Sequence, residues 1–173
     1  LGADVVFVTG PADVAPPSGV EVIAVQTAQQ MLEAVQAALP SDVAIFAAAV
    51  ADWRVEGASD RKLKKSKDGL PTLSFAENPD ILAHVAQLKK GRPSLVVGFA
   101  AETNDVEANA TAKRKRKGCD WIVANDVSPE TGIMGGSENA ISIISDAGVE
   151  EWPRMSKDNV ARKLAQRIAE AIA

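Results

Sequence analysis

A chain of 173 residues, 46% hydrophobic and 24% charged, is long and apolar enough for one domain with its own core. Its formal net charge of -4 excludes a nucleic-acid binder that works by overall electrostatic attraction. No apolar run reaches the roughly 20 residues that cross a bilayer, and no secretory signal opens the chain, so a cytoplasmic location is expected.

Ala3 to Thr9 reads as a buried strand, with Val5, Val6, Phe7 and Val8 uninterrupted and Gly10-Pro11 as its stop. A turn at Pro16-Pro17-Ser18-Gly19 leads into a second strand, Val20 to Val25. Thr27 is a natural N-cap for a helix to Leu39, with Met31, Leu32, Val35 and Leu39 on one face. After Pro40, Val43 to Ala48 forms another buried strand, in an apolar run that reaches Ala51 and stops at Asp52. Residues 50–68 show no steady period and carry many charges; connections of that length inside a compact domain are commonly functional or disordered. Thr72 to Ala76 reads as a short strand. In Asn78-Pro79-Asp80, Asn78 is expected to cap a helix, Pro79 to take its first turn and Asp80 to face the positive dipole end. That helix should run to about Lys90, with Ile81, Leu82, Val85 and Leu88 inward.

Leu95 to Ala100 is the next apolar strand, ending in Ala101-Glu102-Thr103. Asn104 or Asp105 starts a helix through about Lys117, which Gly118 ends. Trp121 to Ala124 is a strand closing in Asn125-Asp126-Val127. Asn139 to Ser145 and Val149 to Trp152 form a hairpin about Asp146-Ala147-Gly148. Ser156 caps a last helix with a stripe of Val160, Leu164, Ile168 and Ile172. This alternation predicts a single α/β domain over residues 1–173: a mostly parallel sheet between two layers of helices, with a C-terminal hairpin and helix. Ligands of such sheets bind beyond the carboxyl ends of the strands, where Asp52, Glu102-Thr103-Asn104 and Asn125-Asp126 are expected.

The basic residues cluster at Arg61 to Lys67 and Lys113 to Lys117, which suits a small anionic ligand as well as a solvated surface. Asp52 is read either as a local turn cap or as a carboxylate for a ligand. A triphosphate needs mobile cations such as Lys62, Lys64 and Lys65, and its metal ion needs a carboxylate or phosphate oxygens. The long basic loop could close over both. Free N–H groups at the Pro79 turn can receive polar ligand atoms; an aspartate there suits a ribose hydroxyl or a base donor better than a phosphate. Phe99 is read either as core or as a ring lining a nucleotide pocket. Lys113 and Lys117 lie four apart on one helical face, either solvated or clamping phosphate. Neither GxGxxG nor GxxxxGK[ST] occurs, and Gly132-Ile133-Met134-Gly135-Gly136 reads as a loop rather than a phosphate cradle. The one cysteine, Cys119, excludes an intrachain disulfide, fits a reducing compartment and reads as core. The one histidine, His84, leaves little for a multi-histidine metal site.

The ordered motifs AAVADWR (Ala48 to Arg54), KLKK (Lys62 to Lys65), ENPDIL (Glu77 to Leu82), VGFAAET (Val97 to Thr103), KRKRKGCDWIVAND (Lys113 to Asp126) and GSENA (Gly136 to Ala140) resemble the phosphopantothenoylcysteine synthetase family. In bacteria this is the second activity of a bifunctional coenzyme A biosynthesis protein. The resemblance implies a Rossmann-like ligase that works as a homodimer with CTP and Mg²⁺ and joins phosphopantothenate to L-cysteine through an acyl-cytidylate. It implies a CTP site of Phe46, Ala47, Ala48, Asp52, Lys62, Pro79, Asp80, Ile81, Leu82, Phe99, Lys113 and Lys117, with Asp52 toward the metal and triphosphate. Family synthetase domains open with a further strand and a loop like I-S-N-x-S-S-G-x-M-G. That loop carries the asparagine associated with the intermediate and part of the phosphate site, and it does not occur in this sequence. The preceding flavin (FMN) decarboxylase domain is also outside it. The resemblance therefore implies an N-terminally truncated synthetase domain, folding in part or with help and weak in ligation. Two other readings stand beside it: a dinucleotide-dependent NAD(P) oxidoreductase, against which the missing glycine fingerprint and acid-base histidine count, and a non-catalytic dimerisation fragment.

Overall fold

The computed structural model describes residues 2–57 and 73–173. The basic segment with Lys62, Lys64 and Lys65 lies outside them. The chain runs β1 (Val6–Thr9), β2 (Glu21–Ala24), α1 (Ala28–Ala37), β3 (Val43–Phe46), β4 (Trp53–Val55), β5 (Phe75–Glu77), α2 (Ile81–Ala86), β6 (Leu95–Glu102), α3 (Val106–Lys117), β7 (Trp121–Asp126), a 3-10 turn (Pro129–Thr131), β8 (Glu138–Ser145), β9 (Gly148–Ser156) and α4 (Lys157–Ile172). It is an α/β fold with a mostly parallel central sheet. That sheet has the order β3-β6-β7-β8-β9, in which β3, β6 and β7 are parallel and the β8–β9 hairpin antiparallel.

The period of two along β6 and β7 builds both faces of the core. Val96, Ala100, Ile122 and Ala124 pack on one side with Leu82, Val85 and Ala86 of α2 and Ala110 of α3. Val97, Trp121 and Val123 pack on the other with Val160, Leu164 and Ile168 of α4. Strands buried on both faces become near-continuous apolar runs, which is why the sequence alone marks them. Cys119 is buried in the first cluster, and burial raises its thiol pKa from the ordinary value, as suits a core residue.

β1 and β2 pair in parallel as a separate two-stranded sheet, and β4 and β5 as an antiparallel ribbon. Among the described residues β1 hydrogen-bonds only to β2, and β3 only to β6. The expected continuous sheet is thus divided, and the apolar residues at the division are open to solvent: Val5, Val6, Val22 and Ile45 are each at least 40% exposed. α1 bridges the two parts. It meets β1, and its Val35, with Leu39 just beyond its end, packs against the core cluster that also receives Ala44 and Phe46 of β3.

Several local expectations change. The first strand starts at Val6 rather than Ala3, and the second is shorter at both ends. Thr27 caps α1 as expected, in a reciprocal box: its hydroxyl accepts the Gln30 N–H at 3.1 Å, and the Gln30 side chain accepts the Thr27 N–H at 3.1 Å. Asn78 does not cap α2. Its own N–H donates to the Asp52 carbonyl at 2.8 Å and its side-chain amide to the Ala51 carbonyl at 2.8 Å, so it ties the ribbon instead. Asp80 is the cap, accepting the Ala83 N–H at 3.0 Å. α2 stops at Ala86, well short of Lys90. There the Arg92 side chain donates to the Ala86 carbonyl at 2.7 Å and satisfies a helix-end acceptor. β4 occupies part of the segment read as irregular. β3 ends at Phe46, so Asp52 stands at the bend into β4 rather than on the tip of a buried strand.

Candidate active site

The carboxyl end of β3 lies beside the middle of β6, with Phe46 opposite Gly98. Gly98 is the close-approach point. A Cβ there would lie 2.6 Å from Leu82 Cδ2 and 2.8 Å from Ile122 Cδ1, so only glycine lets α2 sit this near the sheet. The start of α2 is thereby packed against the middle of β6. The Asn78 hydrogen bonds to Ala51 and Asp52 bring the Asp52 bend to the residue before Pro79. Arg54 adds a bond from its guanidinium to the Glu77 carbonyl.

α3 supplies the cations. Lys113 Nζ donates to the Phe99 carbonyl at 2.9 Å, and Lys117 Nζ pairs with Asp80 Oδ2. The end of α3 is fixed to α2 by Gln87, whose side-chain amide donates to the Lys117 carbonyl at 3.3 Å. The Asp80 carboxyl lies below its ordinary pKa: burial pushes it up, but the Lys117 ammonium and the Ala83 N–H outweigh that. Ile81 and Leu82 are buried beneath this rim, whereas Asp80 is exposed and Pro79 half-buried. Ala47, Ala48 and Asp52 are exposed just after β3.

The structure therefore ties the Asp52 bend to the residue before Pro79, Lys117 to Asp80, and Lys113 to the Phe99 carbonyl of β6, which neighbours the residue opposite the end of β3. Phe99 is there by its backbone only. Gly98 takes the α2 face, so alternation turns the Phe99 ring to the opposite face, where it packs against the cluster under α4. Lys62 lies outside the described residues. Sequence reasoning assigned no part to Arg54 and gave Asn78 a different one. Their partners are more than 20 residues away, across the basic segment, and no local pattern announces such a pairing. Among the described residues no group of three or more His, Cys, Asp or Glu could hold a metal ion by itself.

The architecture is that of a mixed α/β domain with a central, mostly parallel sheet, a class whose ligands commonly lie beyond the strand ends. Residues 1–172 match the family of the DNA/pantothenate metabolism flavoprotein C-terminal domain, and the chain belongs to that family. It is 44% identical over 172 residues to the coenzyme A biosynthesis bifunctional protein CoaBC of Vibrio parahaemolyticus, covering 98% of this chain and 43% of that protein. With CoaBC of Escherichia coli the identity is 41% over 171 residues, covering 42% of the relative. The chain thus spans less than half the length of the curated relatives it matches. Among solved structures, the C-terminal domain of CoaBC superposes with a TM-score of 0.75 at 34% identity, covering 96% of this chain and 74% of that one. A Cab2 variant in complex with phosphopantothenate-cysteine gives a TM-score of 0.63 at 15% identity, covering 88% of this chain and 54% of that one; at that identity the likeness is one of fold.

Proposed function

We propose that this chain carries the nucleotide-binding part of a phosphopantothenate–cysteine ligase that uses CTP in coenzyme A biosynthesis. The observation that carries the reading is the linkage of Lys117 to Asp80, of Lys113 to the Phe99 carbonyl and of the Asp52 bend to the residue before Pro79. The naming of the matched relatives as coenzyme A biosynthesis proteins supports it.

A free carboxylate is a poor acyl donor, because its leaving group would be oxide. In the proposed first step the phosphopantothenate carboxylate attacks the α-phosphorus of CTP. An acyl-cytidylate forms and pyrophosphate leaves. The cysteine amine then attacks the acyl carbon, the amide forms, CMP leaves with the bonding pair, and the amine gives up a proton. Negative charge grows on phosphate oxygens in the first step and on the carbonyl oxygen in the second. Lys113 and Lys117, with Lys62 from the basic segment, are placed in the reading to offset the phosphate charge. Backbone groups of Phe46 and of the exposed Ala47 and Ala48, with the Pro79–Leu82 turn, would hold ribose and base. Mg²⁺ keeps most of its waters and usually takes one or two carboxylates beside phosphate oxygens, so the single carboxylate of Asp52 fits that role. When bound, the ion would screen triphosphate charge. Phe99 would contribute backbone contact rather than ring contact.

The same reading includes a homodimer in the cytoplasm. On the β4–β5 ribbon, Trp53 and Phe75 are 58% and 63% exposed, and Val55 lies beside Phe75 on the same face. An apolar face of this kind is a common mark of association.

Calorimetric titration with CTP, ATP and NAD in the presence of Mg²⁺ tests the reading. Saturable binding selective for CTP is expected, and Lys113→Ala should weaken it. NAD-selective binding would replace the ligase with an oxidoreductase, and binding of none of the three would leave a non-catalytic dimerisation module.

A further inference from the structure

Lys113 and Lys117 are not held alike. The Lys113 ammonium rests on a neutral acceptor, the Phe99 carbonyl. The Lys117 ammonium rests on a charged one, Asp80, whose other carboxylate oxygen caps α2. The Lys117 side chain is 19% exposed and that of Asp80 46%, so the carboxylate is the more solvent-facing partner. The backbone of Lys117 is tied to α2 through Gln87, and only the side chain is free to change partners. An anionic ligand and Asp80 would thus compete for one ammonium, and an unneutralised carboxylate beside bound phosphate would oppose it.

We propose that Asp80 is an internal stand-in for ligand phosphate: it pairs with Lys117, and a triphosphate loads only when Lys117 leaves Asp80. The proposal rests on the nucleotide-site reading above and makes Asp80 a positioning residue that sets how tightly an anion must bind. The exchange has a physical use. The ammonium stays paired and oriented until an anion replaces Asp80, and weakly charged anions do not displace the carboxylate.

Asp80→Asn separates the charge from the cap, because asparagine is as good an N-cap as aspartate. Binding of sodium tripolyphosphate and of Mg·CTP is measured by calorimetry for the wild type, Asp80→Asn, Lys117→Met and the double variant. Removing one half-exposed ion-pair competitor is expected to tighten both ligands about two- to fivefold. The gain should vanish in the Lys117→Met background, whereas a merely structural effect of Asp80 would persist there. If Mg·CTP binds the wild type but Asp80→Asn is unchanged or weaker, or gains equally without Lys117, the exchange is refuted and the site survives. If Mg·CTP binds none of the four proteins, the site reading fails and the exchange with it.

Discussion

Gly98 shows how one missing methyl sets a site. Its position opposite Leu82 and Ile122, both buried, leaves no room for a Cβ. Gly98→Ala is expected to cost about 1–3 kcal/mol, as overpacking does. It should also weaken Mg·CTP binding if the Leu82 side chain cannot give way without shifting the start of α2. Urea denaturation and calorimetry on the same variant check both effects; unchanged stability would show that α2 can yield. Glu150 offers a test of charge. The Trp152 indole N–H, donating at 2.7 Å, lowers the Glu150 carboxyl below its ordinary 4.5; burial opposes this, and Arg167 at 3.2 Å adds to it. A depressed carboxylate stabilises the fold fully above its unfolded pKa and loses that contribution as pH falls through the folded one. Glu150→Gln should therefore lower Tm by about 1–3 °C at pH 7, since an exposed pair gives at most about 1 kcal/mol. The difference should close below pH 4.5. A gap that persists in acid would mean that shape, not charge, matters at this position.

At the scale of elements, the β4–β5 ribbon stands apart from the core. Its register pairs Trp53 with Glu77 and Val55 with Phe75, which puts both aromatic side chains on one face. Trp53→Glu combined with Phe75→Glu is expected to convert a dimer to a monomer in sedimentation while leaving the far-ultraviolet circular dichroism unchanged. A chain that is monomeric before substitution would remove the ribbon from any such role. The opposite end of the central sheet behaves differently. There Arg92 donates to the Ala86 and Pro93 carbonyls and to Asp120 at 2.7, 2.9 and 2.9 Å, and Asp120 also accepts the Val96 N–H at 2.7 Å. This ties α2, β6 and the start of β7 together. Sequence periodicity does not reveal it, because nothing in Gly91-Arg92-Pro93 marks the arginine as structural.

For the whole molecule, the divided sheet has a dynamic consequence. β1 and β2 hold one buried apolar neighbour, Val25, whereas β6 and β7 are lined by fully buried residues on both faces. Regions with few buried contacts open at lower free energy than the core. Native-state hydrogen exchange is expected to show amides of β1 and β2 exchanging through a low-energy local opening, and those of Val96, Val97, Ile122 and Val123 only on global unfolding. Equal protection of the two parts would mean that α1 couples them into one cooperative unit.

The apolar runs of β6 and β7, the Thr27 and Ser156 caps, the Gly118 stop and the stripe of α4 were legible because each is a local rule acting over a few residues. The ordered motifs likewise mark the family, because they are runs of neighbouring residues. The tertiary structure alone decided which groups share a partner. It gave the cap of α2 to Asp80, spent Asn78 on the ribbon, joined Asp80 to Lys117, turned the Phe99 ring away from the rim and left β1 unpaired with β3. Hydrogen bonds and ion pairs between residues far apart in the chain depend on how packed elements bring them together. No periodicity in the sequence records that distance.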